Sequence, residues 1–110
     1  MKISNKIVVQ NILSECIKNS ISHVVFSPRS RNSPFAITFD AHPDITTHVI
    51  HDERVAGFFA LGIAQTINKP VILCCTSGSA LLNYFPAISE AFYREIPLIV
   101  ISADRPKILV

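Results

Sequence analysis

Polar and charged side chains collect in four short segments of this sequence. The segments are Pro28-Arg29-Ser30-Arg31, His51-Asp52-Glu53-Arg54, Thr76-Ser77-Gly78 and Asp104-Arg105. Each one follows a short apolar run of the kind that is typical of a β-strand. If the strands are parallel, the segments meet at one edge of the sheet, where ligands of open α/β sheets bind. The pattern therefore predicts one binding site that is assembled from four turns.

The four segments and the residues next to them carry more positive than negative charge. Three carboxylates face five cations, which are Arg29, Arg31, Arg54, Arg105 and Lys107. Helix N-termini that follow the strands add partial positive charge and unpaired N–H groups. We therefore expect the edge to attract an anion, either a phosphate or a carboxylate. The alternative is that these charges only cap helices and face water. It stays open, because it would give the same composition.

Glu53 is the candidate with the most specific chemistry. It stands in the first turn of an apolar helix that begins after Asp52. A carboxylate at this place can simply complement the helix dipole, which is the alternative interpretation. Asp52 precedes the helix and suits the capping role, so the cap does not require Glu53. We therefore predict that Glu53 takes part in proton chemistry at the site.

Two other patterns support weaker interpretations. The segment Thr76-Ser77-Gly78-Ser79 resembles a phosphate-cradling turn, but a strand-to-helix turn with a capping serine fits equally well. The sequence lacks both the G-x-G-x-x-G pattern and the P-loop lysine, which argues against Rossmann and Walker sites. His48 and His51 lie near two carboxylates, yet their spacing matches no zinc signature. A metal site among these residues is the less favoured interpretation.

Composition narrows the class of protein. The 110 residues are 49% hydrophobic and 16% charged, which suits one small domain with a core rather than a disordered chain. A net charge of +2 without any Lys/Arg-rich run argues against nucleic acid binding. We recognise no membrane span and no secretory signal. Cys16, Cys74 and Cys75 lack C-x-x-C spacing, so we expect free thiols in a reducing cytoplasm.

Apolar periodicity predicts the elements that position the four segments. We expect helices over about 4–17 (capped by Ser4), 33–40, 52–67 and 76–94 (kinked at Pro86), and strands over 23–26, 46–50, 71–75 and 98–102. The strands are continuous apolar runs, which is typical of parallel sheets that are covered on both faces. The third helix is apolar nearly all round, so we expect it to be buried. The predicted fold is a three-layer α/β/α domain with a parallel sheet.

Four motifs span the chain from about residue 7 to 105. They read S-P-x-S-R-N-S-P, H-D-E-R-x-x-G-F-x-A-L-G-x-A, T-S-G-S-A-x-x-N-x-x-P-A-I-x-E-A and P-L-I-V-I-S-A-D-R-P. In this order they resemble the pyrimidine-binding domain of thiamine-diphosphate enzymes of the acetolactate-synthase and decarboxylase type. Within that group the chain is most similar to the synthases of menaquinone biosynthesis that join 2-oxoglutarate to isochorismate.

The resemblance implies a cofactor and a role for Glu53. In the family, the glutamate of the H-D-E-R motif hydrogen-bonds N1′ of the cofactor's aminopyrimidine and thereby activates thiamine diphosphate. Thr76, Ser77 and Gly78 match the segment that lies against the pyrimidine end. The diphosphate is held through a divalent metal, Mg²⁺ or Mn²⁺, by a second domain that carries a G-D-G motif.

The resemblance also implies substrate contacts. Ser30, Arg31 and Arg105 match positions that contact 2-oxoglutarate or isochorismate, both of which are dicarboxylates. Guanidinium groups suit such ligands because they pair with carboxylates in a bidentate way. The family loop usually reads P-G-S-R, whereas this chain has Arg29 in place of the glycine.

The same resemblance implies an incomplete enzyme. Residues 1–110 would be part of one pyrimidine-binding domain, with the other domains absent. The active site would form between two subunits of a homodimer or of a dimer of dimers. We therefore expect no turnover from these residues alone. Two alternatives remain, namely another thiamine-diphosphate 2-oxo-acid decarboxylase or acetolactate-synthase-like enzyme, and a non-enzymatic module that binds a phosphorylated ligand.

Overall fold

Four parallel strands form the centre of the molecule. The computed structural model describes residues 2–27, 33–76 and 79–103. Its elements are α1 (Lys2–Lys18), β1 (His23–Phe26), α2 (Ser33–Asp40), β2 (Thr46–Val49), α3 (Glu53–Ile67), β3 (Val71–Thr76), α4 (Ser79–Leu82), α5 (Phe85–Arg94) and β4 (Leu98–Ala103). The strand order is β2-β1-β3-β4, and every neighbouring pair is parallel. The carboxyl ends of all four strands therefore lie at one edge.

Two apolar clusters lie on opposite faces of this sheet. Val24 of β1 belongs to the cluster that α1 and α2 cover, together with Phe35 and Phe39 of α2. The next residue, Val25, belongs to the cluster that α3, α4 and Tyr84 cover. This alternation follows from strand geometry, in which successive side chains point to opposite faces. The arrangement confirms the predicted three-layer α/β/α fold with a parallel sheet.

Helix α3 begins and ends where the sequence predicts. The Asp52 carboxylate accepts hydrogen bonds from the backbone N–H groups of Arg54 at 2.9 Å and Val55 at 3.1 Å, which closes the N-terminus. At the other end Asn68 adopts the left-handed conformation (φ 56°), and its N–H bonds the Ala64 carbonyl. The predicted cap and end of this helix are thus confirmed.

The prediction that α3 is buried on all sides was wrong. Its buried face consists of small residues and Leu61, namely Ala56, Gly57, Ala60, Leu61 and Ala64. Phe58 and Phe59 stay 43% and 44% exposed, and the Phe59 ring lies 5.2 Å from the ring of His48 in β2. Small residues bring the helix backbone close to the sheet, and the described residues cover the two aromatic rings only in part.

Two further predictions about helices also need correction. The segment predicted as one kinked helix forms two helices, because the chain leaves helical geometry at Asn83 and starts again at Phe85. Pro86 lies in the first turn of α5, where its missing N–H is no loss, so it starts a helix and does not kink one. Helix α1 begins at Lys2, so Ser4 lies inside the helix and is not its cap.

The strand bounds differ from the predicted ones by one residue at most, which is within the usual uncertainty of element ends. No helix in the described part of the chain combines the length and the apolar character that a membrane crossing requires.

Candidate active site

Glu53 lies buried at the carboxyl edge of the sheet. It is the first residue of α3, and only 9% of its surface is exposed. Among the residues whose side chains are described, Ser27 and Glu53 are the only buried ones of polar or charged type. The helix cap is made by Asp52, so capping does not account for the burial of Glu53.

A hydrogen-bonded group of side chains lies next to Glu53, and we call it the Tyr84 network. The Tyr84 hydroxyl is within hydrogen-bonding distance of Ser27 Oγ at 2.8 Å and of the Cys74 carbonyl oxygen at 2.9 Å. The side chain of Cys75 lies near enough for Tyr84 to lower the pKa of its thiol. Ser27 and Tyr84 are fully buried, and the network joins the ends of β1 and β3 to the start of α5.

The Tyr84 network is electrically neutral near pH 7. Burial raises the pKa of the Cys75 thiol to about 11. Tyr84 acts in the opposite direction and lowers this pKa, and the negative charge of Glu53 raises it. Burial and then the charge of Cys75 raise the pKa of Cys74 to about 12. Burial likewise raises the pKa of Tyr84. The network therefore offers Glu53 dipoles and no competing charge.

Helices α3 and α5 approach closely one turn after Glu53. A Cβ atom placed on Gly57 would lie 2.9 Å from Ala87 Cβ and 3.8 Å from Tyr84 Cδ1. Residues four apart in a helix lie above one another, so Gly57 and Glu53 share a face. The absence of a side chain at Gly57 thus permits the contact that sets the distance between Glu53 and α5.

The other predicted site residues are only partly described. Thr76 is the last residue of β3 and pairs in register with Ala103 of β4, so its backbone lies at the same edge as Glu53. The remaining candidates lie outside the described residues, and they are Ser30, Arg31, Ser77, Gly78 and Arg105, together with Arg29. Their roles stay predictions.

His48 pairs with a histidine of the neighbouring strand. Its Nε2 lies 3.1 Å from Nδ1 of His23 on the neighbouring strand, and the two rings stack with centroids 5.4 Å apart. Burial lowers the pKa of His48, and so does the charge of His23. Within the described ranges, no three His, Cys, Asp or Glu side chains form a group that could hold a metal ion.

Sequence reasoning missed Ser27, Cys75 and Tyr84 as members of one network. Ser27 and Tyr84 are 57 residues apart, and no local spacing connects them. One signal was available, because a tyrosine within a predicted helix must find a hydrogen-bond partner for its hydroxyl when it is buried.

These residues fit the aminopyrimidine that the sequence resemblance implies. A buried carboxyl group at the open edge of the sheet can hydrogen-bond a ring nitrogen, and such a bond is stronger away from water. The neutral Tyr84 network on the inner side introduces no second charge that would compete for the proton. The diphosphate group of the cofactor would need other residues than these.

Relatives with curated names cover most of this chain. It is 58% identical over 96% of its length to a 2-succinyl-5-enolpyruvyl-6-hydroxy-3-cyclohexene-1-carboxylate synthase of Christiangramia forsetii. It is 59% identical over 89% of its length to the synthase of the same name from Flavobacterium psychrophilum. The chain spans 18% of the length of each of these two relatives.

Solved structures support the fold. The chain superposes on benzoylformate decarboxylase from Polynucleobacter necessarius with a TM-score of 0.82 and 24% sequence identity. The superposition covers 93% of this chain and 19% of that one. At this level of identity the likeness concerns the fold alone.

The family assignment rests on a match to nearly the whole chain. Residues 7–110 match the family model described as thiamine pyrophosphate enzyme, N-terminal TPP binding domain, where TPP is another name for thiamine diphosphate. The parallel sheet with flanking helices agrees with that assignment. The chain therefore belongs to the thiamine pyrophosphate enzymes and corresponds to their N-terminal TPP binding domain.

Proposed function

We propose that the protein containing this chain is a transferase that decarboxylates 2-oxoglutarate and joins the remaining four-carbon unit to isochorismate. The product would be 2-succinyl-5-enolpyruvyl-6-hydroxy-3-cyclohexene-1-carboxylate, an intermediate of menaquinone biosynthesis. Support comes from the names of the relatives that are 47–59% identical to this chain. The structural observation that carries the proposal is the burial of Glu53 at the carboxyl edge of the sheet.

Glu53 is proposed to act on the cofactor. Thiamine diphosphate, when bound, supplies the nucleophilic carbon and the electron sink that this reaction needs. The carboxyl group of Glu53 would hydrogen-bond N1′ of the aminopyrimidine and hold a proton there. Thr76, Ser77 and Gly78 would lie against the same ring. A divalent metal, Mg²⁺ or Mn²⁺, would bind the diphosphate in a domain other than this one.

Three residues are proposed to bind the substrates. Both 2-oxoglutarate and isochorismate carry two carboxylates at neutral pH. Arg31 and Arg105 would pair with carboxylate groups in a bidentate way, and Ser30 would add a hydrogen bond. Arg29 adds a cation to the same segment.

We propose that the full-length protein forms a homodimer and that α3 contributes to its interface. Val55, Phe58 and Phe59 of α3 are each more than 40% exposed, and the Phe59 ring also contacts His48 of β2. Adjacent large apolar side chains on a protein surface are typical of an association site. A second copy of the same helix would cover them and would bring the carboxyl edges of two subunits near each other.

We also propose a cytoplasmic location and a requirement for more than these 110 residues. All three cysteines are buried and unpaired, which suits a reducing compartment. The chain alone is expected to show no turnover, because the groups that hold the diphosphate and the metal are expected in another domain.

A two-substrate assay tests the proposed reaction. Full-length protein with thiamine diphosphate and Mg²⁺ is incubated with isochorismate and either 2-oxoglutarate or pyruvate, and the products are identified by mass spectrometry. We expect product only with 2-oxoglutarate. Consumption of pyruvate with no use of 2-oxoglutarate would contradict the proposal and would favour an acetolactate-synthase-like enzyme.

A further inference from the structure

Tyr84 occupies a junction between several elements of the fold. It lies between α4 and α5, directly before the first residue of α5, and it is the largest of the fully buried side chains. Its hydroxyl lies 2.8 Å from Ser27 Oγ at the end of β1 and 2.9 Å from the Cys74 carbonyl oxygen in β3. The polar tip of this tyrosine thus lies in the interior and binds the ends of two central strands.

One packing contact and one electrostatic link connect Tyr84 to the N-terminal part of α3. The Tyr84 ring lies against Gly57, where a Cβ atom would be 3.8 Å from Tyr84 Cδ1. Burial raises the pKa of the Cys75 thiol, Tyr84 lowers it, and the charge of Glu53 raises it, so Tyr84 and Glu53 act on the same thiol. The packing contact with Gly57 acts on α3, the helix that carries Glu53. The electrostatic link acts on Cys75, whose pKa the carboxylate of Glu53 also affects.

Tyr84 cannot itself touch a ligand from this position. None of its surface is exposed, and its neighbours on the α3 side of the sheet are strand, helix and network residues. An effect of Tyr84 on the reaction must therefore pass through Glu53 or through the strand ends.

We infer that Tyr84 is a positioning residue for Glu53, which it holds in place through the Tyr84 network and through its contact with α3. This inference rests on the proposed role of Glu53. Catalysis depends steeply on the placing of reacting groups, and a displacement of about 1 Å can change a rate by about a hundredfold. The Tyr84 hydroxyl bonds Ser27 and the Cys74 carbonyl while its ring packs against Gly57 of α3, so the residue limits such displacements.

The test compares two tyrosine variants in the full-length protein. Tyr84→Phe removes the buried hydroxyl and keeps the ring. Tyr93→Phe is the matched control, because Tyr93 lies in α5, the helix that directly follows Tyr84, and is 79% exposed. For Tyr84→Phe we expect kcat to fall by about tenfold, with KM for 2-oxoglutarate within about twofold of wild type. The control should match wild type in both.

A binding measurement adds a readout that does not depend on turnover. Calorimetric titration of the cofactor-free protein with thiamine diphosphate and Mg²⁺ should show a Kd several times higher for Tyr84→Phe than for wild type. Ser27→Ala, which removes a partner of the hydroxyl and leaves Tyr84 in place, should act in the same direction. The double variant should be no worse than the stronger single one, because both changes break one network.

The outcomes separate the inference from the proposed function. If Tyr84→Phe and Ser27→Ala both keep kcat and Kd within about twofold of wild type while Glu53→Gln is inactive, the positioning role is wrong and the role of Glu53 stands. If Glu53→Gln keeps full activity, the proposed function of Glu53 fails and the inference fails with it. Should Tyr84→Phe not fold, Ser27→Ala and its Kd decide the matter alone.

Discussion

At the scale of the residue, Asp52 and Glu53 divide two tasks that either carboxylate could perform. Asp52 is exposed and accepts the hydrogen bonds that cap α3, whereas Glu53 is buried behind it. Their order along the chain made this division predictable, because only the residue before the helix can cap it. The Tyr84 network was not predictable in the same way, since its members come from β1, β3 and the start of α5 and meet only after the sheet has formed.

Replacing Glu53 by glutamine tests the residue directly. Glu53→Gln keeps the size of the side chain and removes the carboxyl group, so we expect kcat to fall by about 10²–10⁴. The rate of deuterium exchange at C2 of the bound cofactor, followed by NMR, should fall as well. Glu90→Gln is the control, because Glu90 lies on the exposed side of α5 in an ion pair with Arg94. Near-normal exchange in Glu53→Gln would contradict the assigned role.

At the scale of the element, α3 shows which features of a helix can be predicted from its sequence and which cannot. Its start, its end and its apolar character follow from Asp52, Asn68 and the residues between them. The face of α3 that is buried could not be predicted in this way. Hydropathy ranks phenylalanine above glycine and alanine, whereas the buried face is made mainly of glycine and alanine. Close packing on a sheet selected the small residues instead, and this became visible only with the neighbouring elements in place.

Two glycines of α3 provide a matched test of that close packing. Gly57→Ala places a methyl group 2.9 Å from Ala87 Cβ, which is part of a rigid helix, and should destabilise the domain by about 1–3 kcal/mol. Gly62→Ala meets no atom within 4 Å and should stabilise α3 by about 0.5–1 kcal/mol, since alanine favours helix. Thermal unfolding followed by circular dichroism checks the order of the three proteins. A Gly57→Ala variant as stable as Gly62→Ala would show that α3 and α5 can move apart easily.

At the scale of the whole molecule, the class of fold was easier to predict than its arrangement. Continuous apolar strands that alternate with helices imply a parallel sheet, and the structure contains one. No local sequence pattern predicts the strand order β2-β1-β3-β4, because each connection is long enough to reach either side of β1. For the same reason the sequence indicated that four polar segments share one edge, but not which of them are neighbours.

The proposed homodimer belongs to this scale and can be tested by its state of association. Phe59→Glu adds a charge to the exposed side of α3 and should shift the full-length protein from dimer to monomer in sedimentation equilibrium. Ile37→Glu is the control, since Ile37 is 70% exposed on α2, which covers the opposite face of the sheet. Equal dimer dissociation constants for the two variants would place the interface elsewhere.

The pair formed by His23 and His48 bears on how the domain responds to acid. The two imidazole nitrogens lie 3.1 Å apart, so one donates a hydrogen bond and the other accepts it. Burial, followed by the charge of His23, lowers the pKa of His48 and so opposes its protonation. The folded pKa of His48 lies below its ordinary value of 6.5, so an unfolded chain takes up protons more readily there. The stability that this pair contributes is complete above pH 6.5 and declines as the pH falls below it. Acidification should therefore loosen the outer strand β2 before it disturbs the centre of the sheet.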